Sequence, residues 1–168
     1  MIGFFKKLFA KESQTTVNQV DFSDCWVVTK INDHSEFLQW LINAVPNNSI
    51  WSIDHVFDQK MLDTLCRFEV DAEVINNQQL TVPRTNICVR LSETSKPVIC
   101  KELGNWDFKM NAIHQHIYQN EKYFFTAYDN LHPKCTELSL TFEKDELQKL
   151  SEVDLIEFHH SNNGKKTL

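Results

Sequence analysis

The stretch that decides the fold runs Ala112-Ile-His-Gln-His-Ile-Tyr-Gln-Asn-Glu-Lys-Tyr-Phe-Phe-Thr-Ala-Tyr128. Aromatic and β-branched residues occur in both halves, and the polar pair Asn120 and Glu121 separates them, which predicts a β-hairpin. With that pair as the turn, counting outward predicts four cross-strand pairs. They are Gln119 with Lys122, Tyr118 with Tyr123, His116 with Phe125, and His114 with Ala127.

Side chains on a strand alternate between two faces, so this register divides the hairpin into two surfaces. The predicted core face carries Ile113, Ile117, Phe124 and Tyr128. Tyrosine gives broad, rigid contact area at interfaces, so the second face is a candidate partner-binding surface. It consists of His114, His116, Tyr118, Tyr123 and Phe125. The alternative is that helices cover this face and that its histidines are hydrogen-bonded.

The residues around the hairpin alternate between helical and extended patterns. Asp33 and Asp58 each stand at the N-cap position before an apolar helical stripe, and Phe57 is placed to pack on Leu62 as a hydrophobic staple. Further helices are predicted near 96–103 and 144–150, and strands near 25–31, 50–56, 69–75, 86–91, 137–142 and 154–158. This order predicts a single α+β domain with about four helices packed on a mixed or mostly antiparallel sheet.

Glycine is scarce, since Gly104 is the only one between Lys11 and Asn163. Phosphate-binding loops need glycine so that main-chain N–H groups can approach the ligand. Gly104 itself is expected just after the 96–103 helix, at the C′ position that favours a positive φ. No glycine then remains for a nucleotide loop, and we expect no cofactor.

The charge is concentrated in the body of the chain. Residues 12–160 hold all 23 acidic side chains but only 12 of the 17 basic ones. An acidic body repels phosphate backbones, which argues against nucleic-acid binding, and it attracts a basic protein partner. Glu69, Asp71 and Glu73 alternate with apolar residues and predict an outward acidic strip that docks such a partner. The alternatives are a solvated face or an edge strand protected by charge.

The two ends differ from the body. We expect a basic amphipathic segment at 1–12, a polar linker at 13–21, the globular domain at 22–160 and a flexible tail at 161–168. No apolar run is long enough for a membrane span, and the five cysteines show no C-x-x-C spacing. These features predict a cytoplasmic protein with reduced thiols. Residues 1–11 leave a weak contact with a membrane surface as an alternative.

His114 and His116 have the alternate spacing that places two imidazoles on one side of a strand, which suits a metal. A third ligand would have to come from elsewhere, with Asp129, His132, Cys135, His159 and His160 as candidates. The sequence contains no P-loop, nucleophile elbow or zinc-protease motif. A small metal protein or enzyme is therefore the alternative prediction, and no catalytic residue is assigned.

In size, acidity, aromatic content and lack of catalytic motifs, the chain is loosely similar to small cytoplasmic bacterial immunity proteins. The similarity lies in composition and not in alignable residues, so it assigns no functional position. It implies a non-enzymatic protein-binding module that neutralises a basic toxin domain by direct binding.

Overall fold

A computed structural model describes residues 24–70, 87–108, 111–120 and 122–162. The strands within these ranges are β1 (Asp24–Ile31), β2 (Ser49–Asp54), β3 (Ile87–Leu91), β4 (His114–Gln119), β5 (Lys122–Ala127), β6 (Thr136–Ser139) and β7 (Ile156–Asn162). The α-helices are α1 (His34–Ala44), α2 (Gln59–Leu65), α3 (Ser95–Glu102) and α4 (Lys144–Glu152). Short 3-10 helices follow α2 at Cys66–Phe68 and α3 at Leu103–Asn105.

The described strands form one sheet with the order β3-β2-β4-β5-β6-β1-β7. Every neighbouring pair is antiparallel. The predicted single-domain α+β fold is therefore confirmed. β7 continues to Asn162, so the boundary predicted at residue 160 falls inside a strand, while the predicted segments 1–12 and 13–21 lie outside the described residues.

Two aspartates begin helices as predicted. Asp33 Oδ1 accepts a hydrogen bond from the Glu36 N–H at 2.9 Å, and Asp58 Oδ1 accepts one from the Met61 N–H at 2.8 Å. The side chain of Phe57, however, is 70% exposed and does not form the predicted buried staple. Asn111 Oδ1 accepts from the Phe57 N–H at 2.8 Å and thereby fixes the backbone that leads into α2.

The helices pack on one face of the sheet. All four contribute side chains to a single apolar core, among them Phe37, Leu41, Leu65, Ile99 and Leu147. The strands contribute the other half of that core, including Trp51, Val89, Ile117, Phe125 and Leu138. Burial of side chains of this size contributes roughly 1.5–3 kcal/mol each, so this face accounts for most of the hydrophobic stabilisation.

A β-bulge changes the register of the central hairpin. The pairs Gln119 with Lys122 and Tyr118 with Tyr123 are confirmed, but Ile117 then pairs with Phe125. Phe124 is the extra residue, because β5 advances by two positions where β4 advances by one. The predicted partners of His116 and His114 were therefore wrong by one position. The observed pairs are His116 with Thr126 and Gln115 with Ala127.

Lys96 joins two helices inside the protein. It is only 8% exposed, and its Nζ donates a 2.6 Å hydrogen bond to the carbonyl of Val45 at the end of α1. Burial lowers the pKa of this ammonium group. The contact places a cation at the negative end of the α1 dipole and satisfies a carbonyl that the helix itself cannot pair.

Replacing Lys96 with Met should lower the free energy of unfolding by roughly 1.5–3 kcal/mol, because the buried Val45 carbonyl then loses a charged donor. Urea denaturation followed by far-UV circular dichroism measures this change. Lys101 on the same helix is exposed, and Lys101→Met should change stability by less than about 0.5 kcal/mol. Equal effects of the two substitutions would contradict the role assigned to Lys96.

Among the described residues, left-handed backbone occurs without glycine. Gly104 lies in the second 3-10 helix and has no positive φ, so the C′ role predicted for it was wrong. A different set of described residues adopts positive φ: Asn48, His55, Ala112, Asn120, Asp129, Asn130, Leu131, Lys134 and Asp154. Asparagine and aspartate tolerate this region best, whereas alanine, leucine and lysine adopt it at a conformational cost.

Gly104→Ala should raise the melting temperature and add about 0.4–1 kcal/mol of stability, because it restricts the unfolded chain without straining the folded one. A Cβ added at this position meets no atom within 4 Å. Differential scanning calorimetry of the two proteins checks the prediction, and a lower melting temperature for Gly104→Ala would refute it.

Candidate functional site

The face of the sheet opposite the helices carries a second, smaller cluster. Ile50, Val70, Cys88 and Tyr118 are buried there, and Tyr123 packs against them. None of the described helices contributes to this cluster. We call this side the histidine face, because it also displays His114 and His116 from the central strand β4.

Registers across the sheet align polar side chains into one row on the histidine face. Cys88 lies opposite Ser52, Ser52 opposite His116, His116 opposite Thr126, and Thr126 opposite Glu137. The His116 Nδ1 is hydrogen-bonded to the Thr126 hydroxyl. Cross-strand neighbours of this kind have Cβ atoms about 4.5–5.5 Å apart, so the row is continuous from β3 to β6.

Aromatic rings of the hairpin contact one another along the same face. The ring centroids of Tyr118 and Tyr123 lie 5.5 Å apart, and those of Tyr123 and His116 lie 6.2 Å apart. Tyr128 contacts both histidines, with its centroid 5.4 Å from His116 and 5.3 Å from His114. Tyr128 was predicted to lie on the core face; the bulge turns it to the histidine face.

The line of neighbouring side chains continues beyond the hairpin into β2. Asp54 lies opposite His114 in the sheet, and its Oδ2 is 2.8 Å from His55 Nδ1. The ring of His55 in turn lies 6.0 Å from that of Phe57. We define the aromatic ridge as this connected set: Tyr118, Tyr123, His116, Tyr128, His114, Asp54, His55 and Phe57.

Three loops with positive φ values support the exposed end of the ridge, near Phe57 and Tyr128. One follows β2, one precedes β4 and one connects β5 to β6. The Ala112 N–H donates to the His55 carbonyl at 3.1 Å, and the Asn130 N–H donates to the Ile113 carbonyl at 2.9 Å. Positive φ values concentrate here, at His55, Ala112, Asp129, Asn130, Leu131 and Lys134. Such conformations cost roughly 1–3 kcal/mol each and persist only where the surrounding structure fixes them. Ala112 and Leu131 are buried in the core and supply that anchoring.

Ionisation on the histidine face is suppressed by burial. Burial, with the neighbouring charge of His114, lowers the pKa of His116 to about 4, although Asp54 opposes the shift. Burial also raises the pKa of the Cys88 thiol, while the nearby hydroxyl groups of Ser52 and Tyr118 act in the opposite direction. At neutral pH His116 is therefore uncharged and Cys88 is a thiol, which does not favour acid–base or nucleophilic chemistry.

Glu137 is the carboxylate of the polar row. Its pKa is raised, and burial is the cause. The neighbouring Cys25 thiol is affected in the same sense, with its pKa raised to about 11 by burial first and by the charges of Glu137 and Asp24 second. The row thus contains a half-buried negative charge next to groups that do not neutralise it.

The metal site predicted as an alternative at His114 and His116 has no third ligand in the described part of the chain. Those residues contain no group of three or more His, Cys, Asp or Glu side chains able to hold an ion. His159 and His160 belong to β7, four strands from β4, which is about 19 Å at ordinary strand spacing. His160 instead pairs with Asp24, its Nε2 lying 2.6 Å from the Asp24 carboxylate.

Among the predicted partner-binding residues, His114, His116, Tyr118 and Tyr123 share a face, whereas Phe125 does not. Phe125 is fully buried on the helix side, with its ring 6.3 Å from that of Phe37, so its placement on the contact surface was wrong. Tyr118 is only 1% exposed and supports the ridge from beneath. The bulge at Phe124 is the physical reason for the misplacement of Phe125.

The predicted acidic strip is described only at its first residue. Glu69 is exposed and forms a β-bridge with Val89 beside the edge strand β3, and Val70 is buried, as the alternation predicted. The Val70 N–H donates to the Cys88 carbonyl at 2.8 Å, which connects this segment to the histidine face. Asp71 and Glu73 lie outside the described residues.

Sequence reasoning missed Tyr128, Asp54, His55 and Phe57 as members of the ridge. The adjacent pair Phe124 and Phe125 is the signal for the first, since two large apolar residues in succession fit a half-buried strand only if a bulge turns both inward. The Asp54–His55 contact forms where the chain leaves β2 with a positive φ at His55. No local sequence pattern predicts the contact between Asp54 and His55.

In comparisons with known proteins, no protein-family model, no curated protein and no solved structure matches the chain. Within the residues that the structure describes, no helix has both the length and the apolar character required to cross a membrane.

Acidification should destabilise the protein through His116. Its pKa falls from an ordinary 6.5 to about 4 in the folded state. Between these pH values the unfolded chain therefore binds a proton that the native state does not. Stability should fall by up to about 3 kcal/mol as the pH drops from 7 to 4.

Urea denaturation at several pH values measures this effect as the difference between wild type and His116→Gln. The comparison is needed because the raised pKa of Glu137 acts in the opposite direction. The variant should lose less stability on acidification than the wild type, whereas His132→Gln, at an exposed position, should follow the wild type. If the free energy of unfolding changes with pH equally in wild type and His116→Gln, the assignment of His116 as a buried, neutral side chain is wrong.

Proposed function

We propose that this protein is a non-enzymatic protein-binding module that binds a basic partner through its aromatic ridge. The observation that supports this most directly is the line of tyrosine and histidine rings in mutual contact on the face that the described helices leave uncovered, which Asp54, His55 and Phe57 extend past the end of β2. Rings in contact with one another lose little conformational freedom on binding, which suits them to interface hot spots.

Exposure along the ridge follows the arrangement expected of a contact surface. Phe57 is 70% exposed and Tyr128 is 46% exposed, while Tyr123 is half-buried and Tyr118 is covered. Large exposed aromatic side chains in one area frequently mark interaction sites. Their backbone is held by the loop contacts around Ala112 and Asn130, so a partner meets a preformed surface.

The acidity of the chain supports a basic partner. Residues 12–160 carry 23 acidic and 12 basic side chains. A field of this sign accelerates encounter with a positively charged surface and weakens as salt rises. Glu69 is exposed beside β3, but its bridge with the core residue Val89 places it on the helix side, so it adds to the acidic field and not to the ridge itself.

The specific form of this proposal is an immunity protein of the cytoplasm that neutralises a basic toxin domain by direct binding. The acidic, tyrosine-bearing surface supports it, as does the absence of any disulfide among Cys25, Cys66, Cys88, Cys100 and Cys135. The uncharged state of His116 and the protonated state of the Cys88 thiol favour binding over catalysis at this face.

Affinity capture with the tagged full chain tests the ridge when wild type is compared with Phe57→Ala and Tyr128→Ala. A protein retained by wild type should bind each variant at least tenfold more weakly, a loss of about 1.4 kcal/mol, because truncation removes an exposed anchor. Its retention should also fall steeply between low and high salt.

Val153→Ala serves as the matched control, since Val153 is also 70% exposed but lies after α4, away from the ridge. Melting temperatures of all three variants should stay close to that of wild type. If the captured protein binds wild type, Phe57→Ala and Tyr128→Ala with equal affinity, the proposed binding surface is wrong.

A further inference from the structure

The histidine face contains a carboxylate that has no described counter-charge. Glu137 is half-buried, and no described hydrogen bond or ion pair involves its side chain. Burying a charge is costly unless an opposite charge accompanies it. The groups beside Glu137 on this face are Thr126, Val27 and Cys25, none of which is a cation.

The surroundings of Glu137 are aromatic on one side. Glu137 lies opposite Thr126, and Tyr128 follows two positions later in the chain, so Tyr128 is its diagonal neighbour on the same face. Diagonal neighbours lie about 7–8 Å apart, within reach of one planar group placed between them. The ring of Tyr128 is 46% exposed and is therefore accessible to such a group.

The strands that lie from β2 to β6 in the sheet add negative charge and no lysine or arginine to this face. Arg90 of β3 lies opposite Ile50 on the same face, four strands from Glu137, and His159 of β7 lies beyond Val27, two strands from Glu137. Across β2, β4, β5 and β6 the carboxylates on the histidine face are Asp54 and Glu137. Lys122, the one lysine or arginine within these strands, belongs to the opposite side of the hairpin, where its Nζ lies 5.6 Å from the centroid of Phe124. The two histidines of β4 complete the set, and His116 stays neutral in the physiological range.

We infer that this part of the face is a binding site for an arginine of the partner, whose guanidinium pairs with Glu137 and stacks on the ring of Tyr128. The inference rests on the proposed function and names the group that the partner inserts. Guanidinium suits the site better than ammonium, because it is planar, less strongly hydrated and able to pair with a carboxylate while it stacks on an aromatic face.

The site can be tested without knowing the partner, with N-acetyl-arginine amide as the probe and the full chain as the receptor. Nuclear magnetic resonance should show saturable shifts of the Tyr128 and Thr126 signals as the probe is raised to about 50 mM, where a dissociation constant of that order gives half-saturation. The corresponding citrulline amide, which has the same shape without the charge, should shift them at least tenfold less.

Glu137→Gln and Tyr128→Leu should each weaken the arginine probe at least fivefold, while Glu152→Gln, which removes an exposed carboxylate at the end of α4, should leave its binding unchanged. Glu137→Gln should also match or exceed wild type in urea denaturation, because it removes a desolvated charge. Absence of saturable shifts, equal binding of citrulline, or undiminished binding by Glu137→Gln would overturn the inference.

The capture experiment separates this inference from the proposed function. If a captured partner is lost with Phe57→Ala and Tyr128→Ala but binds Glu137→Gln as well as wild type, the arginine site is wrong and the ridge remains the contact surface. If the captured partner is lost with Glu137→Gln as well, both hold. Indifference of that partner to all three substitutions rejects both.

Discussion

The extra residue in β5 determines which side chains meet on each face of the sheet. With Phe124 inserted opposite the step between Ile117 and Tyr118, both phenylalanines turn toward the helices, and Thr126 and Tyr128 turn toward the histidines. Without it, Phe125 would face away from the core and lose roughly 1.5–3 kcal/mol of burial. A bulge interrupts one ladder position, which is a smaller loss, so the core favours the bulged register.

The fold could be predicted from the sequence because its signals are local and repeated. Asp33 and Asp58 cap helices whose apolar stripes have a clear period, and the hairpin turn at Asn120 is flanked by residues typical of strands. The strand order β3-β2-β4-β5-β6-β1-β7 could not be predicted in the same way, since it depends on pairings between distant segments. The prediction of which face of β4 packs in the core was correct, because the apolar side chain of Ile117 favours burial of the face that carries it.

The candidate site was predicted only as far as the hairpin register held. His114, His116, Tyr118 and Tyr123 precede the bulge or lie next to the turn, and they share a face as expected. Phe125 and Tyr128 lie beyond the bulge and exchanged faces. The contribution of Asp54 and His55 depends on which strand pairs with β4, and Glu137 depends on which strand pairs with β5, so neither followed from local sequence.

The shortage of glycine has a consequence for the protein before it folds. Glycine contributes more conformations to an unfolded chain than any other residue, so a chain with so little of it begins from a narrower ensemble and loses less backbone entropy when it orders. This smaller entropy loss is partly offset in the folded state, because Ala112, Leu131 and Lys134 adopt left-handed backbone at a conformational cost. The smaller entropy loss on folding therefore helps to offset the conformational cost of the loops beside the aromatic ridge, whose shape native contacts maintain.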